Sequence, residues 1–266
     1  MSINEIKSEK YINHSIFQEL EHYITYYDRL SFSILQWLNM GIRGGIFNYE
    51  SYLLSSVKGT IESIKTLLIN GRLNDAYSLT RKYHDSVIIN IYADLYLEDN
   101  FSIENMVVQQ INNWLHGKEK LPTYKIMNNY LSNHQKLQSI NKLLLHEHHY
   151  SHLRQRLNDH THYNFFQYMM FNDNEIYNPK RIETLGQMSN DIRDIFIKHF
   201  IWLFTIKDHY MMSSDYRDYL DCGETPPEGS QYDVANFIQE VFENIIKIYR
   251  EDLAIELKNS TCMNLL

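Results

Sequence analysis

The sequence predicts an all-α protein, a multi-helix bundle built around a long central helical hairpin. Three observations carry this. Only 9 Gly and 4 Pro punctuate 266 residues, too few for the closely spaced turns of a sandwich or barrel. Apolar residues recur three or four apart in the long segments, the spacing of one helix face. The 21 Tyr, which by composition alone would suit strands, follow that same spacing rather than alternating.

The elements follow in order. A first helix over 13–39 ends before "GIRGG" (41–45), whose three glycines make a flexible joint. Helices over 48–70 and 72–97 meet at Gly71, a natural C-cap residue, and form the antiparallel hairpin. Shorter helices are expected over 102–115 and 122–132, the latter opened by Pro122, and a long one over 134–158. After the loop "NDNEIYNP" (172–179), Pro179 precedes a helix over 181–212 whose stripe includes Leu185, Met188, Ile192, Phe196 and Leu203. The loop "CGETPPEGS" (222–230) leads to a last helix, 234–258, with Val234, Ile238, Val241, Phe242, Ile245 and Tyr249 on one face. The chain reads as one all-α domain, 1–266, in which 1–45 is a candidate N-terminal helical extension to a core at 46–266.

Bulk properties narrow the function classes. A chain of this length buries a core without disulfides. Cys222 and Cys262 stand far apart with no CxxC spacing, which fits a reducing compartment. The N-terminus lacks the apolar run of a signal peptide, and "HFIWLFTI" (199–206) is shorter than the roughly 20 residues of a membrane span. The expectation is a cytoplasmic protein with no membrane partner. The net charge of -8 opposes general nucleic-acid coating. Residues 101–170 differ: seven Lys or Arg stand against four acids, with eight of the 13 His, so a polyanion would dock on this middle third.

The window that carries chemistry is "RQRLNDHTHYN" (154–164), just after "HEHHYSH" (146–152). At about 100° per residue, His149, His152, Arg156, Asp159, His160 and Tyr163 share one arc of a helix. Such an arc either lines a cleft or forms a solvent-facing stripe. His148 and His152, four apart, have the spacing of two metal ligands, with His149, His160 or His162 to complete a shell. The HExxH pattern of a zinc hydrolase fails, because Tyr150 stands where the second His must be, and no metal or other cofactor is assigned. The chain also lacks a GxSxG elbow and a phosphate-cradling glycine loop.

An arginine followed by a polar residue, a short spacer and a histidine, near the end of a long helix in an all-α chain, resembles the HEPN superfamily. Two frames fit: Arg154 to His160, with Gln155 second, and Arg156 to His162, with Leu157 second. The likeness covers residues 48–165. It implies a metal-independent endoribonuclease working on an RNA substrate. His160 or His162 would be the base, Arg154 or Arg156 the phosphate clamp, and Asn158 or Asp159 the group that orients the His. It also implies a homodimer in which an Arg and a His from each subunit line one cleft. Separately, "GRLNDAYSLTRKYHDSVI" (71–88) with "LNDHTHYN" (157–164) is similar to a group of bacterial helical proteins of unknown function, some found beside abortive-infection and other phage-defence genes. In that alignment His162 is the shared histidine. Arg81, four residues before Asp85, either makes an intrahelical salt bridge or faces the same cleft as Arg156. The competing reading is a non-catalytic helical module that binds a protein partner.

Overall fold

Gly71 sits at φ +74°, in the left-handed region where a side chain is strained. Its N–H donates to the Leu68 carbonyl at 2.9 Å and the next N–H, of Arg72, donates to the Leu67 carbonyl at 2.9 Å. This pair of bonds is a Schellman cap, and it closes one long helix so that the next can start. A Cβ at Gly71 would also fall 2.8 Å from Ile6 Cγ2. Two independent constraints thus demand glycine at the turn of the predicted hairpin.

The computed structural model describes residues 5–38, 48–145 and 149–266; the joint expected at 41–45 lies outside them. The α-helices, in chain order, are α1 (Glu9–Ile12), α2 (Ile16–Leu38), α3 (Tyr49–Ile69), α4 (Leu73–Asn100), α5 (Gln109–Leu115), α6 (Tyr124–Asn133), α7 (Gln138–Leu145), α8 (His149–Thr161), α9 (Arg181–Ile206), α10 (Ser214–Asp221), α11 (Asn236–Val241), α12 (Lys247–Tyr249) and α13 (Glu251–Ser260). Among the described residues the only β-type pairing is one isolated bridge, Met212 to Val234, so the protein is all-α as expected. No helix among them is long and apolar enough to cross a membrane.

Several boundaries differ from the sequence reading, each for a local reason. The helix expected over 102–115 begins only at Gln109. Before it, Asn105 N–H donates to Ser102 Oγ at 3.0 Å and Asn105 Nδ2 to the Asn100 carbonyl at 2.8 Å, side-chain bonds that compete with helix. The helix expected over 134–158 starts late: His134 is extended at φ -70°, ψ 131°, its ring accepts from the Lys136 N–H, and α-helix begins at Gln138 after a 3-10 turn; residues 146–148 within the expected span lie outside the described ones. The helix expected to reach residue 212 stops at Ile206, because Lys207 leaves helical geometry at φ -139°, ψ 63°. The last helix passes through a π-helical stretch at Phe242–Ile246 and breaks at Arg250, whose guanidinium grips Asp252 by two bonds of 2.8 Å.

The residues group into two compact units: unit 1 is Met1–Asp28, Leu53–Val87 and Glu147–Phe196; unit 2 is Arg29–Tyr52, Ile88–His146 and Ile197–Leu266. Unit 1 has an aromatic-rich core in which Tyr23 stacks on Phe196 with centroids 4.2 Å apart, and the hydroxyls of Tyr27 and Tyr83 bond at 2.7 Å. Leu153 and Leu157 of α8 are buried in it, so α8 presents an apolar stripe as well as its polar groups. In unit 2, Ile91, Leu131, Ile140, Phe204, Phe242 and Leu253 are all buried.

Candidate functional site

The polar residues of α8 do not share one environment. Leu153 and Leu157 set the buried side of the helix, and His160, three residues on, continues it at 5% exposure. His160 Nδ1 donates to Asn74 Oδ1 at 2.9 Å, while Asn74 Nδ2 returns a bond to the His160 carbonyl at 3.0 Å. Its ring lies between Tyr77, 3.8 Å away and nearly parallel, and Tyr168, 3.9 Å away. Burial lowers the His160 pKa to about 4, with the Asp159 charge opposing weakly. At neutral pH this ring is an uncharged packing element.

Arg156 is likewise engaged. Its Nε and Nη2 donate to the two carboxylate oxygens of Asp191 at 3.3 and 2.5 Å, and Asp191 is fully buried. Burial works against the Arg156 charge, but the bonds and charge of Asp191 outweigh it and raise the pKa. Asn158 keeps its Oδ1 buried with no hydrogen-bond partner among the described residues. Asp159 accepts from Asn164 Nδ2 at 2.7 Å. Neither touches a histidine ring in these bonds.

Arg154 and His162 belong to a different group, which faces α4. Arg154 donates to Asp85 Oδ1, and Arg81 Nε lies 3.9 Å from the other oxygen of the same carboxylate. Arg81 Nη1 is 3.0 Å from His162 Nε2. A guanidinium has donors only, so this contact uses the Nε2 lone pair and leaves the His162 proton on Nδ1. His84 Nδ1 completes the group, 3.4 Å from Asp85 Oδ1. Burial would raise the Asp85 carboxyl, but the bonds from His84 and Arg154 hold it below the usual carboxylate range. Two guanidiniums and the His84 imidazole therefore surround one carboxylate, and His162 joins the group through Arg81. Arg81 makes the i,i+4 approach to Asp85 expected from the sequence; its other contact is with His162, just past the end of α8, while Arg156 pairs with Asp191.

Tyr163, directly after His162, adopts φ +50°, which disfavours any residue with a Cβ. The Asn164 N–H reaches the Asp159 carbonyl at 3.0 Å and the Tyr163 N–H reaches the His160 carbonyl at 3.3 Å, so α8 ends in a Schellman cap with tyrosine at the glycine position. Beyond it Phe165 and Phe166 are exposed, at 53% and 77%.

No family model matches the chain, and no curated protein or solved structure is similar to it. Among the described residues no three His, Cys, Asp or Glu side chains converge as a metal-ligand set; His148 and the side chain of His149 lie outside them. His84 was not singled out by the sequence reading. Arg81, His84 and Asp85 stand three and four apart on α4, a spacing that places them on one face and could have been paired with α8.

What the Arg81, His84, Asp85, Arg154 and His162 group can do chemically follows from its parts. The arginines offer planar forks suited to phosphate oxygens. His162 is exposed, and its Nε2 lone pair, which faces Arg81 Nη1, is a proton acceptor of the kind a general base uses. Asp85 is the anion that now occupies the forks.

Proposed function

We propose that the chain is an HEPN-like, metal-independent endoribonuclease of the cytoplasm, of the kind that serves bacterial stress or phage defence. Its site would combine Arg81, Arg154 and His162. The observation that carries the reading is the 3.0 Å contact between Arg81 Nη1 and His162 Nε2, which puts a phosphate-binding cation beside a proton acceptor. The exposed Phe165 and Phe166 favour single-stranded RNA, whose unstacked bases lie on aromatic faces.

In this reading His162 Nε2 takes the 2′-OH proton, the 2′ oxygen bonds to phosphorus, the 5′ oxygen leaves with a proton from water, and the hydroxide so formed takes the proton back from His162. The products are a 2′,3′-cyclic phosphate and a 5′-hydroxyl. Arg81 and Arg154 would exchange their present partners for the non-bridging oxygens, where charge builds. Arg156 and His160 support the fold around α8 rather than the reaction. The family likeness adds a two-fold homodimer, each subunit lending an Arg and a His to one cleft. The second reading, a non-catalytic module for a protein partner, is favoured by Asp85, which already pairs with Arg154 and lies within ion-contact distance of Arg81.

Purified protein in excess EDTA, incubated with a single-stranded RNA, separates the two. The nuclease reading expects cyclic-phosphate ends, and a loss of about a hundredfold or more in rate for His162→Ala and for Arg81→Ala. An inert wild type, or variants that cleave as fast as it does, would leave the interaction module.

A further inference from the structure

Unit 2 holds a second polar centre, and none of its residues takes part in the reading above. A cavity of about 530 Å³ is lined by Tyr49, Glu50, Asp94, Lys207 and Tyr210, and otherwise mainly by apolar side chains, among them Leu97, Phe101, Met106 and Val108. Its size is that of a small-molecule site, mostly apolar with a few convergent polar groups.

The polar groups are unequally satisfied. Asp94 accepts from the Tyr49 hydroxyl, from Lys207 Nζ at 2.9 Å and from Asn90 Nδ2 at 3.0 Å, which occupies both of its oxygens. Glu50, only 4% exposed, accepts from the Tyr210 hydroxyl at 2.5 Å through Oε2. Its Oε1 lies 2.7 Å from Lys207 Nζ as an ion contact but receives no aligned hydrogen bond. The ammonium partners this oxygen by charge, and among the described residues no further donor takes its other lone pair.

The charges point the same way. Two buried acids, Glu50 and Asp94, share one ammonium, that of Lys207; Glu98, also on the wall, is engaged by Lys136. Burial and the neighbouring Glu50 push the Asp94 carboxyl well up, a repulsion that a second cation would relieve. Around the cavity the chain leaves apolar surface uncovered: Phe101 is 57% exposed and Met106 70%, beside Ile103 at 92%. An apolar body would cover some of it.

We propose that this cavity binds a small organic cation, an apolar body carrying a protonated amine, with the amine donating to Oε1 of Glu50 and the body lying against Leu97, Phe101, Met106 and Val108. An apolar carboxylate is disfavoured, because it would bring a second anion beside Glu50. A neutral alcohol would gain the apolar contact and lack the charge.

The test is calorimetric titration of the full chain with octylammonium chloride, 1-octanol and sodium octanoate, three probes of one length and different head. Octylammonium should bind at a single site, about tenfold or more tighter than either of the others. Glu50→Gln, which keeps an acceptor for Tyr210, should bring octylammonium down to the level of octanol. Met106→Trp, at an exposed wall position that spares the core, should weaken octylammonium and keeps the test decisive if Glu50→Gln does not fold. The proposal is overturned if octanoate binds best, if the three probes bind alike or not at all, or if both variants bind octylammonium as the wild type does.

Discussion

Arg156 and Asp191 form a two-point ion pair, with both carboxylate oxygens bonded and the aspartate fully shielded from water. Gln187 Nε2 adds a third bond to Asp191 at 3.1 Å. This arrangement ties α8 to α9 inside unit 1. Removing the acid would leave a half-buried guanidinium without its bonded counter-charge, with only the weaker field of Asp194 in its place, so Asp191→Ala should cost about 3 kcal/mol of stability. Urea denaturation measures it; a loss below about 1 kcal/mol would put the pair among solvent-screened bridges instead.

His160 predicts a pH dependence. Its pKa falls from the ordinary 6.5 to about 4 on folding, so its contribution is complete above the unfolded value and is lost as pH drops toward the folded one. Between about pH 7 and about pH 5 the wild type should lose roughly 2 kcal/mol through this group. His160→Gln, which cannot titrate, should lose correspondingly less over the same interval. Equal losses in the two proteins would mean that the ring is protonated in the folded state without penalty.

Tyr163 predicts a stabilising substitution. With the residue held at φ +50° at the end of α8, Tyr163→Gly should relieve strain of about 1 kcal/mol. The opposing loss is its 3.4 Å contact with Asn172. The midpoint of thermal unfolding should rise, and a fall would show that the tyrosine ring contributes more than its backbone costs.

The Arg81 and Arg154 forks predict a gain of binding. Asp85 now competes with any phosphate for both of them, so Asp85→Asn should tighten a single-stranded RNA oligonucleotide by about fivefold at low salt. Fluorescence anisotropy reads the change. Weaker binding by Asp85→Asn would show that the carboxylate arranges the forks rather than blocking them.

How far the sequence foretold these features depends on range. The Gly71 turn and the start of α9 after Pro179 are set by neighbours along the chain, and both were legible. So was the all-α class, which rests on the summed spacing of many apolar residues. The stretch 101–108 misled because its apolar residues suit helical spacing while Ser102 and Asn105 divert the backbone. In the α8 window the residue types were visible but their partners were not. His162 meets Arg81 across 81 residues and Arg156 meets Asp191 across 35, and periodicity carries no information about either pairing. The centre at Glu50, Asp94 and Lys207 had no signature at all, since each residue reads alone as a surface charge.

The division into two units has a practical spectroscopic corollary. All three tryptophans, at 37, 114 and 202, fall within unit 2. Selective excitation of indole therefore follows the amine cavity's unit and is blind to the unit of Arg81, His160 and His162. Far-UV circular dichroism sees every helix. Recorded on one sample through a single urea series, the pair of signals resolves whether each half of the chain melts on its own schedule.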